Sequence, residues 1–258
     1  ARGYREIGGN RMARVISVSN QKGGVGKTTT TCAVAAGLKK RGFRVLAVDL
    51  DPQGNLGFSM GADTETSATI YDVLRGDVKL QYAIQRTPSA DVIISSILLS
   101  GIELEFTSSG REYLLQEALG PVQELYDYIL LDTPPALGIL TINAFTASDT
   151  VVVPMQPDIF SLQGISQLHE TVERVKSYCN PRITVAGILL TRFNPRTLLG
   201  REVRGTAELI AKDLHIRVFE TTIRDSVAAA EAQSLQRSLF DYAPHRTVTR
   251  DYDKFITE

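Results

Sequence analysis

The chain has 258 residues, of which 43% are hydrophobic and 22% are charged, and its formal net charge is −1. A chain of this length can bury one substantial core, and the near-neutral charge excludes a protein that is basic over its whole surface. Cys32 and Cys179 lack the spacing of a metal site, and the sequence has neither a secretory signal nor an apolar run of roughly 18 residues. These features disfavour disulfide-framework, zinc, iron–sulfur and membrane-spanning proteins, and we expect a cytoplasmic one.

The first eleven residues join no strong pattern, and Met12 directly precedes the first strand-like run. We predict either that Met12 is the native start, preceded by residues 1–11 from expression, or that residues 1–11 are a genuine short leader. In both cases one domain is expected over residues 12–258.

The first predicted strand and helix enclose a glycine-rich loop. Residues 15–18 predict the strand, residues 32–38 predict the helix, and Asn-Gln-Lys-Gly-Gly-Val-Gly-Lys-Thr-Thr-Thr-Thr lies between them at 20–31. The glycines let backbone N–H groups close around phosphate oxygens, Lys27 adds a positive charge, and Thr28 can ligate Mg²⁺ where the helix dipole favours anions. The segment therefore predicts a nucleotide site.

This loop departs from the usual G-x-x-x-x-G-K-[ST] pattern, because Gln21 replaces the first glycine and a second lysine, Lys22, precedes the others. A chance glycine-rich turn is the alternative interpretation. The order of strand, loop and helix disfavours it, as do two acidic segments further along the chain.

Each acidic segment places carboxylates at the end of a predicted strand. Residues 45–55, Val-Leu-Ala-Val-Asp-Leu-Asp-Pro-Gln-Gly-Asn, contain Asp49 and Asp51, and residues 128–135, Tyr-Ile-Leu-Leu-Asp-Thr-Pro-Pro, contain Asp132. Asp132 follows a buried-type strand, where P-loop proteins place an acid near Mg²⁺. Because ligands bind at the carboxyl ends of parallel strands, the loop and both acidic segments are expected to share one site.

Strand-like runs recur through the chain with helix-like stretches between most of them. This alternation predicts an α/β fold with a doubly wound, mostly parallel sheet and helices on both faces. The predicted strands are residues 15–18, 45–48, 92–94, 129–131, 151–153, 185–190 and 218–222.

The three motifs resemble the deviant Walker A, Walker A′ and Walker B elements of the ParA/Soj partition ATPases, within the larger group that includes MinD. Residues 152–168 and 187–197 are similar to that family too, so the resemblance spans most of the chain. It implies a P-loop NTPase of the deviant Walker A type that binds ATP and Mg²⁺, forms an ATP-dependent sandwich dimer and hydrolyses ATP slowly until a partner stimulates it.

The resemblance also implies residue roles. Lys22 would reach the phosphates of the other protomer, Lys27 would hold the β- and γ-phosphates, and Asp51 would orient the attacking water. The expected metal residues are Thr28, Asp49 and Asp132; Asp49, on the same strand face as Asp51, would support Mg²⁺ or the P-loop, with a structural cap as the alternative. The expected nucleotide contacts are Gly23, Gly24, Val25, Gly26, Lys27, Thr28, Thr29 and, at the adenine, Arg192 and Asn194. These last two residues could instead form a turn at a strand end.

Related proteins bind DNA through basic residues in their C-terminal part. The corresponding candidates are Arg201, Arg204, Arg224 and Arg237, and at helical spacing the first two would share a face. The chain departs from Soj-like members by having Asp225 and Ala228 near positions that commonly carry arginine. The implied partners are a second copy of the chain, a ParB-like stimulating protein and nonspecific double-stranded DNA, with no membrane, and the implied location is the cytoplasm on the nucleoid.

Two other functions share the ATP site. A MinD-like positioning ATPase should end in an amphipathic helix with basic and apolar faces, whereas this chain ends Asp-Tyr-Asp-Lys-Phe-Ile-Thr-Glu. A P-loop small-molecule ligase or kinase would not need Lys22 or the whole Asp-Pro-Gln-Gly-Asn segment, and a metabolite would stimulate its ATP turnover.

Overall fold

The structure is a computed structural model that describes residues 12–258, without the side chains of Glu103 and residues 159–163. The expectation for residues 1–11 lies outside the described residues. Within them, seven strands form one sheet in the order β3-β4-β2-β5-β1-β6-β7. The strands are β1 Arg14–Val18, β2 Val45–Asp49, β3 Gln85–Arg86, β4 Asp91–Ile93, β5 Tyr128–Asp132, β6 Thr150–Met155 and β7 Thr184–Leu190.

The sheet is parallel except at one edge, where the short β3 runs antiparallel to β4. Val18 at the end of β1 and Asp49 at the end of β2 both pair in register with Asp132 at the end of β5. The three motifs thus lie together at the carboxyl ends of the central strands, as predicted, because neighbouring parallel strands end side by side.

Helices connect the strands and cover both faces. They are α1 Lys27–Lys40, α2 Asn55–Ser59, α3 Ile70–Arg75, α4 Leu80–Ala83, α5 Ile102–Glu105, α6 Leu114–Leu119, α7 Ile139–Ala147, α8 Ile159–Tyr178, α9 Leu198–Asp213, α10 Val227–Ser234, α11 Leu239–Tyr242 and α12 Thr247–Thr257. Short 3-10 helices span Ile97–Gly101, Arg111–Tyr113 and Gly120–Leu125.

Alternating residues of the central strands pack into hydrophobic clusters on opposite faces of the sheet. Ile129 and Leu131 of β5 join the largest cluster, whereas Leu130 between them packs with Ala35 and Leu38 of α1. This period of two is the geometry of a pleated strand with both faces buried. The predicted doubly wound fold with helices on both faces is confirmed, and a single domain over 12–258 stays a prediction.

The strand predicted at residues 218–222 is wrong. The segment runs beside β7 and forms an isolated bridge between Val218 and Ile188, with further backbone hydrogen bonds to Ile188 and Leu190 only at Arg217, Phe219 and Ile223. A bulge in the β6–β7 pairing near Gly187, whose φ is 153°, accompanies this irregular edge. Within residues 218–222 only Phe219 is buried, where it packs in a core cluster, and the residues form no continuous ladder.

Candidate nucleotide site

The loop after β1 is shaped to leave the start of helix α1 open. Gly24 and Gly26 have φ values of 76° and 87°, a left-handed conformation that glycine adopts without strain. Gly26 is the N-cap residue of α1, and having no side chain it cannot cap the first-turn N–H groups. Those donors and the positive end of the helix dipole are therefore available to an anion.

The two lysines of the loop occupy different environments. Lys27 is buried, with 7% exposure, and its Nζ donates to the carbonyl oxygen of Lys22 at 3.1 Å. Burial lowers the pKa of Lys27, while the carboxylates of Asp132 and Asp51 act in the opposite direction. Lys22 is more exposed, and its Nζ forms an ion pair with Asp158 at 2.7 Å. The loop therefore holds one lysine inside and directs the other toward the residues after β6.

Asp132 is anchored by two hydroxyl groups of helix α1. Thr28 Oγ1 donates to its Oδ2 at 2.7 Å, and Thr31 Oγ1 lies 3.2 Å from its Oδ1. Burial raises the pKa of Asp132 to about 7, and the Thr28 hydrogen bond opposes that shift. A hydroxyl and a carboxylate beside a phosphate loop are oxygen donors of the kind that Mg²⁺ prefers. Thr28 and Asp132 thus fit the predicted metal position.

Asp49 is enclosed by backbone donors. The N–H groups of Leu56 and Gly57 donate to Oδ2 at 2.9 and 3.2 Å, and that of Asp51 donates to Oδ1 at 3.1 Å. The side chain is fully buried, and burial followed by the nearby Asp132 charge raises its pKa well above the usual range. These bonds favour the alternative role of Asp49, a structural cap of helix α2, over the predicted role as a metal ligand.

Asp51 stands at the cleft beside Lys27. It is half-buried, and its Oδ1 accepts the N–H of Gln53 at 3.0 Å, which shapes the Pro-Gln-Gly turn. With Thr28 and the glycines of the loop it lines a hollow of about 430 Å³, which we call the P-loop hollow. The lining includes Lys27, Thr28, Asp51, Asn55, Phe58 and Pro135.

A second hollow of about 230 Å³ adjoins the first across Gly24, Gly26 and Thr29. We call it the Arg192 hollow. Arg192 has a positive φ of 48°, and its Nε pairs with Asp225 Oδ1 at 3.0 Å. Other residues that line it are Thr191, Ile223, Ser226 and Tyr252.

The two residues predicted at the adenine are therefore separated. Arg192 lines the hollow, but among the described residues that line it Asn194 is absent. Asn194 Oδ1 accepts the N–H of Arg196, and its carbonyl oxygen accepts the Thr197 hydroxyl ahead of α9. This geometry favours the strand-end turn for Asn194.

Several residues of the site were missed from the sequence. Thr31 lies one turn after Lys27, so helical spacing could have indicated it. Gln156 donates to the Gly24 carbonyl at 2.5 Å, and Thr191 donates to the Val25 carbonyl at 2.8 Å. Gln233 lines both hollows. No local pattern marks these three, because each reaches the loop through the tertiary fold.

The predicted DNA contacts do not form one uniform surface. Arg204 pairs with Glu208 at 2.8 Å within α9, and Arg224 pairs with the buried Asp251 through two nitrogens at 2.6 and 2.9 Å. Arg237 lies over the Tyr242 ring at 5.9 Å. Arg201 is exposed, and no ion pair to it is found in residues 12–258.

The described residues contain neither a helix that could span a membrane nor a cluster of side chains that could hold a metal ion. No helix in residues 12–258 is long and apolar enough to cross a membrane. Within the same range, no cluster of three or more His, Cys, Asp or Glu side chains could hold a metal ion by itself.

Comparison with known proteins finds a matching family model and two relatives that are similar over most of the chain. A family model described as an AAA domain matches residues 13–185. The chain is 41% identical over 237 residues to the sporulation initiation inhibitor protein Soj of Bacillus subtilis, with 90% of this chain and 92% of the relative covered. It is 39% identical over 239 residues to the chromosome partitioning protein ParA of Caulobacter vibrioides, with 89% and 87% covered.

A solved structure is also similar over nearly the whole chain. It is cobyrinic acid a,c-diamide synthase from Mycobacterium smegmatis with bound ATP analogue and magnesium, at 33% identity and a TM-score of 0.84. The match covers 95% of this chain and 93% of that one.

Proposed function

The chain belongs to the Soj/ParA family of P-loop ATPases, and on that premise we propose that it is a DNA-partition switch. It is an ATPase that uses ATP and Mg²⁺. In the proposed cycle, ATP binding drives a sandwich dimer that binds DNA nonspecifically on the nucleoid, in the cytoplasm. Hydrolysis stimulated by a ParB-like partner then releases the dimer.

The observation that carries this proposal is the separation of the two loop lysines. Lys27 is buried against its own loop, whereas Lys22 is directed to Asp158 with its side chain 38% exposed. A lysine held at the margin of its own site is placed to exchange an intrachain carboxylate for a phosphate of a second protomer. Because the transferring phosphoryl group is strongly anionic, such a cation in trans would promote both dimerisation and hydrolysis.

The remaining residues have separable roles. Lys27 and the loop N–H groups hold the phosphates, and Asp51 orients the attacking water. Thr28 and Asp132 hold Mg²⁺, which when bound neutralises charge on the phosphate oxygens. Asp49 is a positioning residue, since its carboxylate fixes the start of α2 relative to β2.

The DNA contacts are proposed in the C-terminal part of the chain. Arg201 and Arg237 are exposed, and so is Arg246, which the sequence interpretation omitted. Asp225 pairs with Arg192 and Ala228 is buried, so neither departure from the Soj-like pattern places an acid among these arginines. Nonspecific DNA binding requires only such local positive charge.

A co-sedimentation assay with random-sequence duplex DNA tests the proposal. The full chain is compared with ATP, with ADP and without nucleotide, at two salt concentrations. We expect sedimentation with DNA only in ATP, weakening steeply as salt rises because bound counterions are released. DNA binding that ignores the nucleotide, or none in any state, would contradict the switch.

A small-molecule ligase is the second candidate, because the similar cobyrinic acid a,c-diamide synthase structure covers 95% of this chain. Stimulation separates the two functions. A partition switch is stimulated by DNA together with a partner protein, whereas a ligase requires an acid and an amine donor for turnover. ATP turnover that DNA leaves unchanged and a carboxylic acid substrate accelerates would favour the ligase.

A MinD-like role at a membrane surface has less support. Helix α12 is amphipathic, but its apolar residues Val248, Tyr252 and Phe255 are buried in a core cluster with Phe240. An interfacial helix needs its apolar face available to lipid. Vesicle flotation with anionic lipids and ATP should therefore leave the protein in the aqueous fraction.

A further inference from the structure

Gln233 bridges two elements that carry the chemistry of the cleft. It lies half-buried in helix α10, and its Oε1 accepts the hydroxyl of Thr29 at 3.1 Å. Its Nε2 donates to Ser59 Oγ at 3.3 Å. One side-chain amide thus joins helix α1 to helix α2.

Both partners are close in sequence to reacting groups. Thr29 follows Thr28 in the first turn of α1, where the phosphates bind. Ser59 is the last residue of α2, the short helix that begins four residues after Asp51. The other end of α2 is fixed by Asp49 through the N–H groups of Leu56 and Gly57. The Asp51 segment is therefore held at two points, one on the sheet and one on α10.

Glutamine suits this position because its amide is an acceptor at one end and a donor at the other. The Thr29 hydroxyl uses the acceptor and the Ser59 oxygen uses the donor. A glutamate could not donate to Ser59, and an alanine could reach neither partner. Thr29 and Gln233 line both the P-loop hollow and the Arg192 hollow, and Ser59 lines the first, so the bridge adjoins the space proposed for the nucleotide.

We infer that Gln233 is a positioning residue for ATP hydrolysis, which sets the distance between the phosphate-binding end of α1 and the segment that carries Asp51. The inference rests on the proposed role of Asp51. Small displacements of a water-orienting group slow hydrolysis strongly, whereas phosphate binding depends on the loop and Lys27. Gln233 should consequently affect turnover more than ATP affinity.

The test measures ATP affinity with a fluorescent analogue and single-turnover hydrolysis separately, without DNA, on the full chain. Gln233→Met, which keeps length and removes both hydrogen bonds, should lower hydrolysis about tenfold, the factor that one or two neutral hydrogen bonds represent, and change Kd less than about threefold. Ser59→Ala should also lower the rate of hydrolysis. The double variant should be no slower than the slower single variant, since both remove one bridge.

Gln81→Met is the matched control, because Gln81 is exposed on helix α4 and the substitution is identical. It should hydrolyse ATP at the wild-type rate. Thermal unfolding of each variant reports whether the fold is intact, and Ser59→Ala keeps the test valid if Gln233→Met unfolds.

Three results with the Gln233 and Ser59 variants would overturn the inference. Wild-type hydrolysis in Gln233→Met is the first, and strictly multiplicative effects in the double variant are the second. The third is a parallel loss of ATP affinity and hydrolysis rate, which would show general damage to the cleft. Wild-type turnover in Asp51→Ala would remove the Asp51 role and this inference with it, whereas loss of DNA binding alone would end the partition proposal and leave Gln233 unaffected.

Discussion

The P-loop hollow and the Arg192 hollow adjoin each other but are stabilised in opposite ways. Around the first, Lys27, Asp49 and Asp132 are 7%, 0% and 1% exposed, and each bonds to hydroxyl or backbone groups. At the second, the Arg192 and Asp225 side chains are 61% and 68% exposed. Buried polar groups must be satisfied within the fold, whereas exposed ion pairs contribute at most about 1 kcal/mol. The P-loop end of the cleft is therefore pre-organised, and the Arg192 end can adapt.

The most severe change to the pre-organised end is Lys27→Ala. We expect ATP affinity to fall at least about 100-fold, or near 3 kcal/mol, because a buried charge at the phosphates cannot be replaced by loop N–H groups alone. Titration with a fluorescent ATP analogue measures it. Lys79→Ala, an exposed lysine at the start of α4, is the control. Affinity within a few-fold of wild type would show that this hollow does not hold the phosphates.

Asp51→Ala should separate binding from hydrolysis at the same end. The variant should bind ATP normally and hydrolyse it roughly 100-fold more slowly, because the missing carboxylate orients water and holds no phosphate. It should accumulate as an ATP-bound dimer in size-exclusion chromatography with light scattering. Asp77→Ala, an exposed acid paired with Arg75, should leave both properties unchanged. Normal turnover in Asp51→Ala would assign the catalytic role to another residue.

Lys22→Ala tests whether the exposed lysine belongs to a second copy of the site. It should retain ATP binding as a monomer and lose ATP-dependent dimerisation and the cooperative DNA binding that follows from doubling the basic surface. Asp158→Asn is the matched variant, since it removes the intrachain partner of Lys22 and keeps the lysine. It should dimerise with ATP at least as readily as wild type. A Lys22→Ala dimer as stable as wild type would exclude the sandwich mechanism.

Asp49→Ala distinguishes a structural acid from a metal ligand. Removing the carboxylate leaves the buried N–H groups of Leu56 and Gly57 and the half-buried one of Asp51 without their acceptor, so we expect a loss of about 2–3 kcal/mol in the free energy of unfolding. Because this cost does not involve Mg²⁺, denaturant unfolding should show the same loss with and without the ion. A loss confined to Mg²⁺-containing samples would restore the metal-ligand prediction for Asp49.

The features that the sequence predicted are local in the chain, and the features that it missed depend on contacts between distant segments. The positions of the P-loop, Asp51 and Asp132 at or just after the ends of β1, β2 and β5 could be predicted, because in each motif a strand end and a turn are adjacent in sequence. Asp49 was located, but its backbone partners depend on how residues 52–57 fold back. Gln233 was invisible, since its partners are 204 and 174 residues away in sequence. At 218–222 the pattern of apolar and β-branched residues was mistaken for a strand, although only Phe219 is buried there.

The smallest effects are expected among the arginines, where local pairing decides the outcome. Arg201 has no ion pair in the described residues, so Arg201→Ala should weaken DNA binding by the dimer and lower the salt slope by about 1 per protomer. Arg224 is different, because its guanidinium is bonded twice to Asp251, a carboxylate that is 7% exposed. Its charge is already neutralised, and releasing it to a phosphate would leave Asp251 buried and unpaired.

Arg224→Ala should therefore reduce stability while changing DNA affinity less than about twofold, the reverse of Arg201→Ala. DNA titrations of both variants at several salt concentrations, beside thermal unfolding of the same preparations, measure the two effects together. The double variant Arg224→Ala/Asp251→Asn is the control, since it removes the buried charge and should recover stability without altering DNA binding. If Arg224→Ala lowers the salt slope as much as Arg201→Ala, the Arg224–Asp251 pair opens on DNA, and the adaptable end of the cleft extends to helix α12.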